Sequence, residues 1–192
     1  MIGRAAMTTA FAAVTRLTQR LGDFLKDRRG VTAIEFALTL PAMLTLYLGS
    51  QDVTQGISIQ QKVSLTAHAI ADLSSQNTSI TGAQMTNILN AGTAIIAPFP
   101  AGNLTETVSE IAIDSNGNAT VVWSSTLNGT ALTAGAPVTV PAALAVPNSY
   151  LILGQASYNY NPAYSYVLTN TMTLSDQYFL CPRQSASISY SG

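Results

Sequence analysis

Arg28-Arg29-Gly30-Val31-Thr32-Ala33-Ile34-Glu35-Phe36 runs a basic leader straight into an apolar segment. From Val31 to Gly49 there are 19 residues and one charge, Glu35, the fifth residue after Gly30. Such a length and apolarity match a membrane-spanning helix, which needs about 20 mostly apolar residues. A carboxylate inside hydrocarbon costs roughly 2.5–3.5 kcal/mol at the helix centre on insertion scales, and an intramembrane acid asks for a partner.

Charge placement supports a span with a fixed orientation. Six of the eight Lys and Arg residues lie before Gly30, namely Arg4, Arg16, Arg20, Lys26, Arg28 and Arg29. With Asp23 and Asp27 the leader carries +4, whereas the chain from Val31 onward has two bases, seven acids and a charge of −5. Between Lys62 and Arg183 there is no Lys or Arg. Bases crowding one side of a span keep that side cytoplasmic, so the C-terminal part is expected to cross. The overall charge of −1 hides this asymmetry, and nothing in it suggests a nucleic-acid surface. An ordinary secretory signal fits poorly. Its apolar core would be 7–15 residues long with a small-residue cleavage site directly after it, and the Ala67-His68-Ala69 candidate lies well beyond the core.

The run from Arg29 to Pro41, RGVTAIEFALTLP, resembles the start of TadE-like proteins, the minor pseudopilins of the tight-adherence type IV pilus system. The positions that carry the resemblance are Gly30, Glu35, Phe36 and the Leu40-Pro41 pair. The tail Tyr178-Phe179-Leu180-Cys181-Pro182-Arg183 is similar in a less distinctive way. The resemblance implies a long pilin-type transmembrane helix, and the residue patterns beyond that helix read independently as a small α+β domain dominated by a mostly antiparallel sheet. It implies cutting between Gly30 and Val31 by a prepilin peptidase, although members that stay uncut and anchored share the motif. It further implies that Glu35 and Phe36 act in assembly, Glu35 pairing with the new amine of a neighbouring subunit. The expected partners are that peptidase, other pilins and pseudopilins, the pilus secretion machinery and membrane lipid. The expected location is the bacterial cytoplasmic membrane with the C-terminal domain outside.

Four segments follow: a leader at 1–30, a span at 31–49, an amphipathic continuation at 50–76 and a globular part at 77–192. In the leader, Phe11, Val14, Leu17, Leu21 and Leu25 recur at spacings of three and four. This reads either as an amphipathic helix on an anionic membrane or as a disordered basic tail. Past Ser50-Gln51-Asp52 one apolar stripe comprises Ile59, Val63, Ala67, Ile70 and Leu73, and an offset one comprises Val53, Ile57 and Leu65. Two apolar faces call for two coverings, the domain itself and a neighbour. Pro41 and Gly49 are the expected kink points of this helix.

Beyond Asn77 a short helix is expected over 82–91, capped by Thr81 or Ser79, with Met85, Ile88 and Leu89 inward. Val108 to Ile113 and Ala119 to Trp123 flank Asp114-Ser115-Asn116-Gly117 as a hairpin. Further strands are expected at 149–158, 164–168, from 172 to 174 or beyond, and at 185–190. The tyrosines at 158, 160, 164 and 166 read as a half-buried sheet face rather than a sticky patch.

Chemistry is sparse. A single His, His68, and a single Cys, Cys181, give no metal-ligand set and no internal disulfide. Cys181 is expected to be a buried thiol, His68 a packed or surface residue. No Gly-x-Ser-x-Gly elbow is present, so neither catalytic residues nor a cofactor are expected. Asn77, Asn103, Asn118 and Asn128 open sequons, which a Ser- and Thr-rich chain matches by chance. Two functions are thus weighed: a pseudopilin-like fibre component, and a non-filament envelope binding protein tethered by the same span. If the span is oriented by its bases, reporter fusions after Gly102 are active only as periplasmic reporters; cytoplasmic activity there would refute the topology.

Overall fold

The computed structural model describes residues 29–162 and 170–192. The leader periodicity, the expected strand over 164–168, and Tyr164 and Tyr166 lie outside these residues. The chain divides into two units, residues 1–48 and 49–192.

Helix α1, Arg29–Ser75, carries the first unit's described residues. From Gly30 to Tyr47 its side chains are exposed, and an 18-residue window of mean hydropathy 1.6 qualifies it as a candidate membrane span. The helix includes Pro41, whose missing N–H leaves the Ala37 carbonyl without its helical donor. Nearby hydroxyls bond back along the helix: Thr39 Oγ1 donates to the Glu35 carbonyl at 3.0 Å, and Thr45 Oγ1 to the Pro41 carbonyl at 2.8 Å.

In the second unit α1 becomes one-sided. Ile59, Val63, Ala67 and Ile70 are buried, as their spacing predicts, together with Ala71 and Ser74. Leu73 is the exception in that stripe, 38% exposed, because burial shifts to Ala71 and Ser74 in the last turn. The offset stripe of Val53, Ile57 and Leu65 is exposed.

After α1 come β1 (Ser79–Thr81), α2 (Gly82–Ile96), a 3-10 turn at Ala101–Asn103, β2 (Leu104–Ile113), β3 (Ala119–Leu127), β4 (Ser149–Tyr160), β5 (Met172–Leu180) and β6 (Ser189–Ser191). Thr81 caps α2 with a full capping box: its hydroxyl accepts from Gln84 N at 3.3 Å, and Gln84 Oε1 accepts from Thr81 N at 2.9 Å. Each such cap is worth about 1 kcal/mol. Helix α2 extends five residues past its expected end at Ala91, although Gly92 and the β-branched residues are poor helix formers. Tertiary burial of Gly92 and Ile96 overrides propensity. Lys62 Nζ then donates to the carbonyls of Ile95 and Ala97, at 2.9 and 2.6 Å, a cation at a helix C-terminus.

The main sheet has the order β3-β2-β4-β5, every pair antiparallel. The expected hairpin is present and longer, turning on Gly117 with φ +85°. Asn118 Nδ2 donates to Asp114 Oδ2 at 2.8 Å, and Oδ1 accepts from the backbone amides of Asn118 and Asn116, each at 2.8 Å. These bonds favour the ionised carboxyl and hold Asp114 below the usual range. A bulge between Glu110 and Ile111 leaves Val122 without a register partner. The strand expected over 185–190 shrinks to β6, paired in parallel with β1. Together the apolar helix, the antiparallel four-stranded sheet and this small parallel pair make an α+β chain.

Even-numbered positions of β4 face α1. Ala156, Tyr158 and Tyr160 pack with Ile59, Val63, Ala67, Ile96 and Leu104. Farther along, Ile152 packs with Ile70, Ala71, Met85, Leu89, Val108 and Ile188. Tyr158 and Tyr160 are thus inward residues of a sheet face. Fully burying an Ile or Leu contributes about 1.5–3 kcal/mol. On the opposite face Ile111, Ile113, Leu151 and Leu153 are covered by Leu132, Ala136, Val138 and Val140 of the 128–148 connection.

Helix and sheet meet closely at Gly154, where an added Cβ would collide with the Ala67 carbonyl oxygen and lie 2.9 Å from Ala71 Cβ. No rotamer relieves a backbone clash. Gly154→Ala should therefore lose about 1–3 kcal/mol of stability, read as a lower Tm of the full chain in detergent. Gly102→Ala, with nothing within 4 Å of the new carbon, should stay close to the parent.

Candidate functional site

The residues singled out in the apolar segment lie on one helix. Gly30 is exposed, with nothing within 4 Å of the position a Cβ would take. Val31 and Phe36 are exposed large apolar side chains, and Glu35 lies exposed between them. Among the described residues no ion pair engages Glu35; the one ion pair recorded joins Arg183 to Asp72 at 2.5 Å. An exposed carboxylate in an exposed apolar helix is stable in hydrocarbon only when neutralised or paired from outside the segment.

A second set of acids lies inside the globular unit. Along β2, Leu104, Glu106, Val108 and Glu110 share the face toward the helices, and all four are buried. Glu110 has partners. Its Oε1 accepts from Ile188 N at 2.6 Å, and Trp123 Nε1 donates to the Ile188 carbonyl at 2.7 Å. Ile188 immediately precedes β6, so these bonds fasten the chain that pairs with β1. Burial raises the Glu110 carboxyl, and the bonds from Ile188 and Trp123 partly offset that rise.

Glu106 is different. It is fully buried between the two apolar clusters, and neither carboxyl oxygen has a hydrogen-bond partner. Its carboxyl rests on Gly92 of α2, where an added Cβ would collide with Oε1. Desolvation pushes its pKa from 4.5 to about 8, so the neutral acid is the resident form at pH 7. Sequence reading missed both acids, although their parity with Leu104 and Val108 was visible.

The remaining candidates are structural. His68 packs edge-on against Tyr178, the ring centroids 4.5 Å apart. Cys181 is exposed, against the expected buried thiol, because it follows the end of β5 where chain cover is thin. Among the described residues no group of three His, Cys, Asp or Glu side chains is placed to hold a metal ion.

An apolar helix long enough to cross a bilayer, followed by an α+β globular unit, defines the class: the architecture fits a single-pass membrane anchor. Residues 30–72 match the family model described as TadE-like protein. The match bears out the resemblance read from Gly30, Glu35, Phe36 and Leu40-Pro41. Residues 73–192 lie outside it. No curated protein and no solved structure matches the chain.

The buried Glu106 has a measurable consequence. In the folded state its carboxyl keeps a proton that the unfolded chain loses near 4.5. Its stabilising contribution is therefore complete below that pH, falls as pH rises to about 8, and then levels off. One such group changes stability by at most about 1.4 kcal/mol per pH unit. Glu106→Gln should flatten this part of the Tm-against-pH curve of the full chain and raise Tm most at pH 8 and above. Because Glu110 remains in both proteins, the difference between the curves isolates Glu106.

Proposed function

We propose that this protein is a pseudopilin-like subunit that assembles with, or primes, a tight-adherence type IV pilus. The observation that carries the reading is Glu35: exposed, apart from any ion pair in the described chain, and set in a segment otherwise free of charge. A plain anchor gains nothing from a carboxylate in hydrocarbon. An assembling subunit gains a docking point, because the amine of Val31 exposed by cutting after Gly30 in one copy neutralises Glu35 in another. Removing one member of such a pair leaves the other charge uncompensated.

In this reading residues 1–30 are the cytoplasmic leader removed by a prepilin peptidase. Residues 31–49 span the cytoplasmic membrane, 50–76 continue the helix, and 77–192 form the periplasmic or extracellular domain. Phe36 adds an exposed apolar surface beside Glu35 for a neighbouring helix. Pro41 is the bend point in this reading, since it has no N–H to give the Ala37 carbonyl and its ring crowds the preceding turn. The partners are other pilins and pseudopilins and the secretion machinery, and the role is structural rather than catalytic.

Glu35→Leu separates assembly from insertion, because the segment becomes more apolar and still inserts. In cells with the peptidase, intact mass should still show loss of residues 1–30. Surface fibres should fall by an order of magnitude or more, while the Tm of the purified chain stays unchanged. Normal piliation by the Leu variant would refute the assembly role and leave the tethered, non-filament binding protein as the better account. A mature chain that retains Met1 would refute processing.

A further inference from the structure

Glu106 is a fully buried carboxyl with neither oxygen hydrogen-bonded, and the elements around it differ in how far they can move. Strand β2, which carries it, is paired along its length with β3 on one side and β4 on the other. The strand cannot bring the carboxyl out to water without breaking two ladders. Helix α2, which covers it through Gly92, is held differently. Among the described residues no backbone hydrogen bond ties α2 to the main sheet. Its hydroxyls bond within the helix, Thr86 Oγ1 to the Gly82 carbonyl at 2.9 Å and Thr93 Oγ1 to the Asn90 carbonyl at 2.8 Å. Its hold on the sheet is the packing of Met85, Ile88, Leu89, Gly92 and Ile96, while Thr86, Asn87 and Asn90 are exposed. Lys62 fastens the C-terminal end alone, at the carbonyls of Ile95 and Ala97.

We propose that α2 is a proton-governed lid: it lies shut on β2 while Glu106 keeps its proton, and it lifts from the sheet when Glu106 gives that proton to water. Opening and deprotonation are one coupled step, because a carboxylate is far costlier to bury than a neutral acid. No neighbour offsets the charge in the closed state. Helix α2 and strand β3 carry no ionisable side chain. On β2 the companion is Glu110, itself an acid bonded to Ile188. On β4, Ala156 stands opposite Glu106, and of the inward tyrosines Tyr158 pairs with Leu104 while Tyr160 reaches the Asp52 carbonyl. On α1, Lys62 is engaged by carbonyls, His68 by Tyr178 and Asp72 by Arg183. Desolvation accordingly holds the closed carboxyl at about 8, against 4.5 for a hydrated one. The closed state keeps a proton that the open state releases. Raising pH between those two values therefore favours opening, by about tenfold per pH unit, and the effect levels off above the upper one.

Hydrogen–deuterium exchange of the full chain in detergent tests the lid. It is read by mass spectrometry at pH 5, 6 and 7 and corrected for the intrinsic pH dependence of amide exchange. Amides of residues 85–96 should be less protected than those of 151–158 in β4 at each pH, by roughly tenfold or more, because a local opening needs less free energy than global unfolding. The opening equilibrium of α2 should rise about tenfold per pH unit over this range. Glu106→Gln should abolish that slope, and Glu106→Met should do the same without an amide to bury. Equal protection of α2 and β4 at all three pH values overturns the lid, since global unfolding alone would then hydrate Glu106. Faster exchange in α2 without a pH slope, or a slope that both variants retain, overturns the part played by Glu106. None of these outcomes bears on Glu35 or on pilus assembly.

Discussion

The contact between helix α1 and strand β4 at Gly154 is the constraint around which the globular unit is arranged. A residue without a side chain lets the sheet approach the helix backbone at Ala67 and the side chain of Ala71. Large residues fill the space on either side, Tyr158 and Tyr160 toward one end and Ile152 toward the other. Strand β2, the neighbour of β4, pairs Glu106 with Ala156 and Glu110 with Ile152 on the same inward face. Both acids therefore share that face. One is tied to the backbone ahead of β6, and the other is kept neutral against Gly92.

These two acids show how an interior tolerates polar groups in different ways. Glu110 contributes a tertiary link across 78 residues of chain, through the amide of Ile188. The Glu106 carboxyl accepts no bond in the described structure, and its burial is tolerated because a neutral carboxyl costs far less to desolvate than a charged one. The parallel pairing of β1 with β6 depends on the first kind of acid. The close packing of α2 on β2 accommodates the second.

Helix α1 was legible because two physical signals coincide there, near-continuous apolarity from Val31 and then a helical period in Ile59, Val63, Ala67 and Ile70. The hairpin around Gly117 was legible from its turn chemistry, and the TadE-like segment from Gly30, Glu35 and Phe36. Other features had no local signature. Strands β1 and β6 are three residues each and pair across the whole globular unit. The last turn of α2 exists because Ile96 and Gly92 are buried, against their propensities. The inward acids were hidden by their charge, since Glu is seldom fully buried and nothing local marks one that is. Exposure of Cys181 was hidden for the converse reason, a thiol being treated as a core side chain.

The placement of Lys62 and Arg183 has a practical corollary for how the protein meets proteases. Trypsin-like enzymes cut after Lys or Arg, and beyond the leader these are the two such residues in the chain. Lys62 lies within α1, its ammonium fixed to the end of α2. Arg183 is pinned at both ends, its amide bonded to the Ser75 carbonyl at 2.9 Å and its guanidinium paired with Asp72. The same two cations that finish the helices are thus the two potential scissile positions, and folding holds both in place. Beyond the leader, a chain built this way resists basic-specific digestion while folded and, once unfolded, yields one long fragment from Val63 to Arg183.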